Sequence, residues 1–480
     1  MTFPSRRFFS PTFFSAALAL AVSALHVPAP LAAAELSSSS ASVEERLRLL
    51  ETRMDALQRE NAELRRETGR PPADSAKTGI TSADRSAATA PTATPATAPA
   101  TTPSVRLTGD IRMRFSSTMF PAPEAATRDQ LLVQVHAGFV ATVSDTLEGG
   151  LRFSTGDLNP NFGGTPLSAQ FGTGDNGSRK YAFIDQAFIR WKPTLASGAQ
   201  AALTLGKSAN AFYTPSRLLF DNDYNPEGAT EEISFSPTPR DRVWLAAGQY
   251  ILDELANTAR DPWMLAARAR WEAQWQPAWS TTLGVGWLGV THAAALTAAN
   301  IANNNRGNTR SAAGVLTRDY RPFYAEASVT HVLDHAPGYA GKFPVTVSAE
   351  LLHNPAAPAD RDAWTAGLAL GRSGKAGQWE LSYRYLRIEA DAWFEEVIEG
   401  DFGGYYRSVP PGWNTDAASL AGGFGGGTNI RSHVFRTSYS PKDYLLFSAN
   451  LFLNDLIRSY PARAPDTGAK RLQLETLLRF

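Results

Sequence analysis

VRLTGDIRMRF, residues 105–115, alternates without a break. Val105, Leu107, Gly109, Ile111, Met113 and Phe115 fall on one side of an extended chain, and Arg106, Thr108, Asp110, Arg112 and Arg114 on the other, because successive side chains of a strand point to opposite faces. The run covers eleven residues, against about five or six for an ordinary soluble strand. Its polar side is also too rich in arginine for a dry interior.

The pattern recurs along the chain. Leu131, Val133, Val135, Ala137, Phe139, Ala141 and Val143 share a side within 131–143, opposite Gln134, His136 and Thr142. Trp263, Leu265, Ala267, Ala269, Trp271, Ala273 and Trp275 do so within 263–275, opposite Arg268, Arg270, Glu272 and Gln274. Leu472, Leu474, Thr476, Leu478 and Phe480 close the chain the same way, opposite Arg471, Gln473, Glu475 and Arg479. A tilted strand needs about 9–11 residues to cross a bilayer, with aromatic girdles at both interfaces, and Trp263 and Trp275 have the spacing of two such girdles. Lipid offers nothing to backbone N–H and C=O groups, so strands of this kind must close into a barrel without edges. The sequence is therefore read as an all-β transmembrane barrel.

About sixteen antiparallel segments can be counted, from 105–115 to 470–480. The short connections VSDT, PTLASG, SPTPRD, QPAWS, GRSGKAG and SPKD follow even-numbered segments, whereas 157–180, 208–228, 291–321 and 390–429 are long and follow odd-numbered ones. Short inner turns and long outer loops are the outer-membrane arrangement, and an even count puts both termini in the periplasm.

Four regions follow. Residues 1–34 have a basic start, an apolar run and Ala32-Ala33-Ala34 before Glu35, the marks of an export signal. Residues 35–70 are expected to hold a short α-helical coiled coil, with Leu47, Met54 and Asn61 at a positions and Leu50, Leu57 and Leu64 at d positions. Arg46, Leu47, Leu50 and Glu51 resemble the pattern of trimeric coiled coils, so a homotrimer is expected. Residues 71–103 form a Pro/Ala/Thr-rich linker without periodicity, which neither buries a core nor holds a helix. The barrel takes 104–480. With 46 basic residues, 46 acidic ones and no Cys, the composition excludes thiol chemistry and disulfides and offers no field for nucleic acid.

Against this background TLGKSANAFYTPSRLLFDNDYNPEG, residues 204–228, resembles a signature of the bacterial putative porin family, as do TGDIRMRF, LRFSTGD at 151–157 and QWELSYRYLRIEADAWF at 378–394. DFGG (401–404) and GGGTN (425–429) resemble one motif of that family split by an insertion. The resemblance implies a signal peptide, a short coiled coil and a barrel of sixteen to eighteen strands. It also implies that the terminal Phe480 is an assembly signal read by the barrel-assembly machinery. By analogy with trimeric porins, the third external loop, 208–228, is expected to fold into the lumen and to bring Asp221, Asp223 and Glu227 to the pore constriction.

Opposite them, Arg106, Arg112, Arg114, Arg152, Arg190, Arg268, Arg270 and Arg384 are the pore-lining candidates. With Arg471 and Arg479 they outnumber the inward acids Asp110, Glu148, Glu272, Glu326, Glu350, Glu380 and Glu475 by ten to seven, which favours a weak anion preference. Asp221, Asp223, Asn225, Glu227 and Glu232 also have the spacing of a calcium loop, but the position that needs a turn-making Gly is Pro226. His331 and His335 divide between a strand end and the next turn, so no metal site is expected, nor any cofactor, and no local signature assembles a Ser, His and Asp set.

The reading is an outer-membrane porin in contact with lipid, passing small hydrophilic solutes and not acting as an enzyme. The alternatives are a structural barrel tethered to peptidoglycan by its N-terminal segment, and a substrate-specific channel. The mature chain is expected to require detergent for solubility and to give a circular dichroism spectrum dominated by β-sheet; a soluble or mainly helical product would overturn the barrel.

Overall fold

The structure is a computed structural model and describes residues 103–119, 127–156, 165–166, 179–256, 259–297, 307–311, 313–402, 427–458 and 468–480. The export signal, the coiled-coil positions Leu47, Leu50, Met54, Leu57, Asn61 and Leu64, and the linker up to residue 102 lie outside the described residues.

Seventeen strands form one sheet: β1 (Ser104–Met119), β2 (Arg128–Ser144), β3 (Leu147–Thr155), β4 (Thr165–Pro166), β5 (Ala182–Trp191), β6 (Gln200–Lys207), β7 (Glu227–Thr238), β8 (Asp241–Ile251), β9 (Trp263–Gln276), β10 (Trp279–Val290), β11 (Phe323–Leu333), β12 (Phe343–His353), β13 (Asp362–Gly371), β14 (Gln378–Ile388), β15 (Ile430–Lys442), β16 (Leu445–Leu456) and β17 (Gly468–Arg479). β4 has two residues and pairs only with Leu132 and Val133 of β2. Nothing in the alternation signals it. The remaining sixteen strands pair antiparallel in chain order, β3 passing directly to β5. Among the described residues the only helical turns are three 3₁₀ turns of three residues each.

The sheet closes where β1 meets β17, in a register running from Asp110 opposite Arg479 to Met119 opposite Lys470. Gly109 and Phe480 complete it by exchanging two backbone hydrogen bonds of 3.2 and 3.1 Å. Phe480 thus supplies the last rung, and its ring stays 67% exposed on the outer wall.

Alternation sets which wall each side chain serves. Val105, Leu131, Val285, Val347, Leu351, Leu381 and Leu474 are exposed, while Arg114, Gln134, Arg268, Glu350 and Gln473 on the opposite parity are buried in the interior. Trp191, Trp275, Trp279, Tyr439, Tyr444 and Phe447 are exposed near the short-turn end, and Trp263, Phe323 and Trp364 near the long-loop end. These are two aromatic belts bracketing an aliphatic band. One parity break occurs between β3 and β5. There Arg152 faces Gln186 and Phe153 faces Ile184, leaving Asp185 without an opposite residue. Ile184 and Ile189, five positions apart, are consequently both exposed. This β-bulge turns the Asp185 carboxylate inward, where it pairs with Arg152.

Inward glycines lie opposite long polar side chains. Gly138 faces Arg152, and a Cβ built on Gly138 would sit 2.3 Å from the Leu151 carbonyl oxygen and 3.1 Å from Arg152 Cβ. The obstacle is backbone and cannot step aside. Gly138→Val is expected to destabilise the barrel by about 1–3 kcal/mol, read as a lower temperature for loss of heat-modifiable migration in detergent; an unchanged temperature would show that the wall adjusts around the side chain.

Candidate functional site in the barrel lumen

Two connections at the long-loop end turn back into the barrel. The segment between β6 and β7, residues 208–226, carries the apolar run Leu218-Leu219-Phe220, and all three are almost completely buried. A chain segment on the rim would leave such residues in water, so burying them pulls the loop inward. Phe212 packs edge-on against Tyr250 of β8, and Phe220 against Trp393 of the second loop. Polar contacts fix the path. Thr214 and Ser216 donate hydroxyls to Glu350 of β12 at 3.0 and 2.6 Å. Arg268 of β9 donates to the Tyr213 carbonyl. On the other flank Gln186 of β5 donates to Asn225, which itself donates to Asp185 at 2.8 Å. The loop therefore touches the inner faces of β5, β8, β9 and β12.

The second segment, residues 389–402 after β14, buries Ala392, Trp393, Phe394, Val397, Ile398 and Phe402. Trp393 donates its indole N–H to the Leu219 carbonyl at 3.0 Å. A third stretch, 307–320, is held to it through Asn308. The Asn308 amide group donates to the carbonyls of Ala390 and Trp393, and its side-chain oxygen accepts from the Glu395 N–H. Glu395 accepts from the Asn308 backbone at 2.8 Å and pairs with Arg310 at 2.6 Å, both side chains being wholly enclosed. Buried charge of this kind is tolerable only when paired and hydrogen-bonded.

The two loops meet above the β1 and β17 wall. The Asp221 N–H donates to the Val397 carbonyl at 2.8 Å, and the Gly400 N–H donates to the Asp221 carboxylate. Around this joint stand four guanidinium groups and five carboxylates. Arg112 lies 3.5 Å from Asp223. Arg114 pairs with Glu475 at 2.5 Å and with Asp401 at 3.7 Å. Arg217 pairs with Glu399 at 2.8 Å and with Asp401 at 4.0 Å. Arg471 reaches Asp401 at 3.1 Å, and Gln473 donates to the same carboxylate oxygen at 2.8 Å. Arg217 has φ 61°, the left-handed region, and its N–H donates to the Thr214 carbonyl in a tight turn. That strained backbone belongs to the residue whose side chain ties the two loops together.

The loop carboxylates respond differently to this setting. Burial, with Glu399 and Asp223 nearby, raises Asp221 well above the ordinary carboxylate range. Burial also raises Glu399, Arg217 opposing and Asp401 reinforcing the shift. Asp401 is buried too, which by itself would raise it, but Arg114, Arg471 and Arg217 outweigh that penalty and bring it down to about 2.

Of the expected constriction residues, Asp221 and Asp223 lie at this joint. Glu227 does not. As the first residue of β7 it shares the outward parity of Ala229 and Glu231, and it pairs with Lys207 at 2.7 Å on an exposed side chain. The short step from Asn225 to the strand start leaves it no route into the lumen. The calcium-like set is dispersed accordingly, Glu232 accepting from Trp244 instead. His331 stacks on Trp279 with ring centroids 4.1 Å apart.

The expected pore-lining arginines all have inward parity. Arg106 lies near the short-turn end, while Arg112 and Arg114 stand at the joint. Arg152 pairs with Asp185, Arg190 with Glu148 at 3.3 Å, Arg268 with Glu326, and Arg270 with Glu272. Arg384 donates to Thr365 and Ser348. Arg217, Glu399 and Asp401 were not singled out by sequence reasoning. The signal for them was apolar: LLF at 218–220 and AWF at 392–394 are hydrophobic triplets inside loops, and such triplets mark infolded chain. Among the described residues no cluster of His, Asp and Glu is arranged to hold a metal ion.

Comparison with known proteins bears on the family. Residues 124–311 match the putative porin family. No curated protein matches the chain. Similar solved structures include the high-pH structure of Pseudomonas putida OprB, with 10% identity, TM-score 0.46, and coverage of 78% of this chain and 94% of that one. The anion-selective porin from Comamonas acidovorans has 9% identity, TM-score 0.43, and coverage of 79% and 100%. The trimer form of Vibrio cholerae OmpT has 11% identity, TM-score 0.41, and coverage of 79% and 99%. The family match covers β2 through β10, including the whole of the first infolded loop.

The shifted carboxylates set a pH dependence. Asp221 and Glu399 bind protons more readily folded than unfolded, so their linkage lowers stability as pH rises above about 4. Asp401, depressed to about 2, acts with the opposite sign, and its contribution is lost only as pH falls from about 4 toward that value. Asp221→Asn is expected to flatten the decline in unfolding temperature as pH rises above about 4; an unaltered slope would remove Asp221 as its source.

Proposed function

We propose that the protein is an outer-membrane porin through which small hydrophilic solutes and ions diffuse, passing the charged joint at which the two infolded loops meet the β1 and β17 wall. The observation that carries this reading is the division of one closed sheet into an apolar outer wall and a charged inner one. Only a lumen with water in it accommodates so many inward guanidinium and carboxylate groups, and only a hydrocarbon surround suits the aliphatic band outside. The match of residues 124–311 to the putative porin family agrees with it. The fold and family favour a channel over an enzyme.

The infolded loops supply the selectivity element. Asp223 facing Arg112 at 3.5 Å, with Asp401 facing Arg114 at 3.7 Å and Arg471 at 3.1 Å, sets cationic wall against anionic loop. A transverse field of this kind orients dipolar solutes and admits water and small ions. The short turns and both ends of the barrel chain would face the periplasm and the long loops the exterior, which puts the N-terminal region 35–103 on the periplasmic side. The a and d positions from Leu47 to Leu64 support a homotrimer, and peptidoglycan remains a candidate partner of that segment. Phe480, seated as the last rung beside Gly109, supports the assembly-signal role.

Planar-bilayer recording on the purified protein tests the function, with discrete conductance steps expected and their complete absence counting against an open pore. Neutralising the two members of the Arg112 and Asp223 pair should move selectivity in opposite directions. Arg112→Gln is expected to shift the reversal potential toward cations and Asp223→Asn toward anions, each changing the permeability ratio severalfold, since one charge at such a site acts with on the order of 1 kcal/mol. A shift in the same direction for both would deny that the pair lines the permeation path.

A further inference from the structure

The environment of Asp401 differs from that of the other carboxylates at the joint. Its two oxygens are served separately. Oδ1 accepts from Arg471 Nη1 at 3.1 Å and from Gln473 Nε2 at 2.8 Å, while Oδ2 faces Arg114 Nη1 at 3.7 Å and Arg217 Nη1 at 4.0 Å. Oδ1 is thus hydrogen-bonded and Oδ2 held at ion-pair distance, so the site as it stands matches the two oxygens of one planar carboxylate. A phosphate or sulfate would bring further oxygens for which this arrangement provides no donor.

The cradle is built mainly from the barrel wall. Arg114 is on β1 and Arg471 and Gln473 on β17, and all three are supported from behind. Arg114 is pinned by Glu475, Arg471 donates to Thr118 of β1 at 3.3 Å and to the Gly400 carbonyl at 3.2 Å, and Gln473 is 2% exposed. The occupant comes from a loop. Asp401 is the middle residue of the 3₁₀ turn Gly400–Phe402, anchored by Phe402 against Phe452 of β16. Rotation of one side chain withdraws the carboxylate and leaves the anchor in place.

The charge relations favour exchange. Arg114 has Glu475 and Arg217 has Glu399 as second partners, but Asp401 is the one carboxylate paired with Arg471 among the described residues. Withdrawing Asp401 alone would leave that guanidinium uncompensated, which is costly in a buried site. Replacing it with another carboxylate restores the same pairing.

We propose that Arg114, Arg217, Arg471 and Gln473 form a subsite for the carboxylate of a small monocarboxylate solute, and that Asp401 is its resident occupant, exchanged as the solute passes. This rests on the porin reading and adds a solute class to it. Asp401 is then a substrate mimic built into the loop, keeping the cradle paired between passages.

The test empties the cradle and refills it. Asp401→Ala removes a group the size of formate, and Asp401→Asn keeps the shape while removing the charge. Chloride current through each form is measured in planar bilayers against added sodium formate, sodium acetate, sodium phosphate and sodium sulfate at matched ionic strength. Formate and acetate are expected to block the Asp401→Ala current at concentrations at least about tenfold below those needed for the wild type, since two charge-assisted hydrogen bonds become available to the solute. Asp401→Asn should move the same way, and Arg471→Gln added to Asp401→Ala should return the block to the wild-type range.

Equal block in all forms would overturn the proposal, as would phosphate or sulfate blocking as strongly as formate, which would mark a general anion patch. Should no form conduct, the porin reading fails separately. The cradle is then judged by calorimetric titration of formate into detergent-solubilised Asp401→Ala, where heat abolished by Arg471→Gln supports the subsite and absence of heat overturns it.

Discussion

The backbone has nowhere to place its hydrogen bonds except on itself. In hydrocarbon an unpaired N–H or C=O costs several kcal/mol, so a sheet with a free edge cannot persist there. The junction of β1 with β17, ten paired positions ended by the Gly109 and Phe480 rung, is what turns a ribbon of antiparallel strands into a wall. Every other feature presupposes that junction. Alternation gives two distinct surfaces only if the sheet has an inside, and infolded loops have something to fold into only if the wall is continuous.

The inside is not uniform. Toward β8–β16 at the long-loop end it is an apolar core in miniature, where Phe212, Leu218, Leu219, Phe220, Trp393, Phe394, Val397 and Ile398 from the loops meet Tyr250, Met264, Leu288, Leu352, Leu386, Ile388 and Phe452 from the strands. Toward β1, β5 and β17 it is charged and hydrogen-bonded. The loops thus resemble a surface helix in logic, with one apolar flank laid on the wall and one polar flank turned to the remaining space. The positions of Asp223, Glu399 and Asp401 follow from that lamination. Their backbone is held by hydrophobic packing, so the ion pairs need only decide side-chain orientation.

Much of this was legible in the sequence because a strand has a period of two and an outer wall in lipid enforces it residue by residue. The sixteen long segments, the alternation of short and long connections and the inward parity of eight arginines all followed from that rule. The short pairing of Thr165–Pro166 and the bulge at Asp185 did not, since a two-residue bridge has no period and a bulge appears in sequence only as a lapse of one. The candidate site was half legible. Asp221 and Asp223 were reached through a family resemblance and by analogy with trimeric porins, and the same reasoning swept in Glu227, whose inward or outward sense depends on where β7 begins. Arg217, Glu399 and Asp401 depend on contacts between loops more than a hundred residues apart in the chain, and no local pattern records those. The coiled coil and linker stand on sequence alone.

The Asn308 and Glu395 pairing, with the Trp393 indole on the Leu219 carbonyl, joins three loops that have no strand in common. The first of them alone rests on β5, β8, β9 and β12, which are spread around the wall. The cap of the barrel therefore cannot precede its wall. The three loops thus hold one another in place, and their seat is the assembled wall.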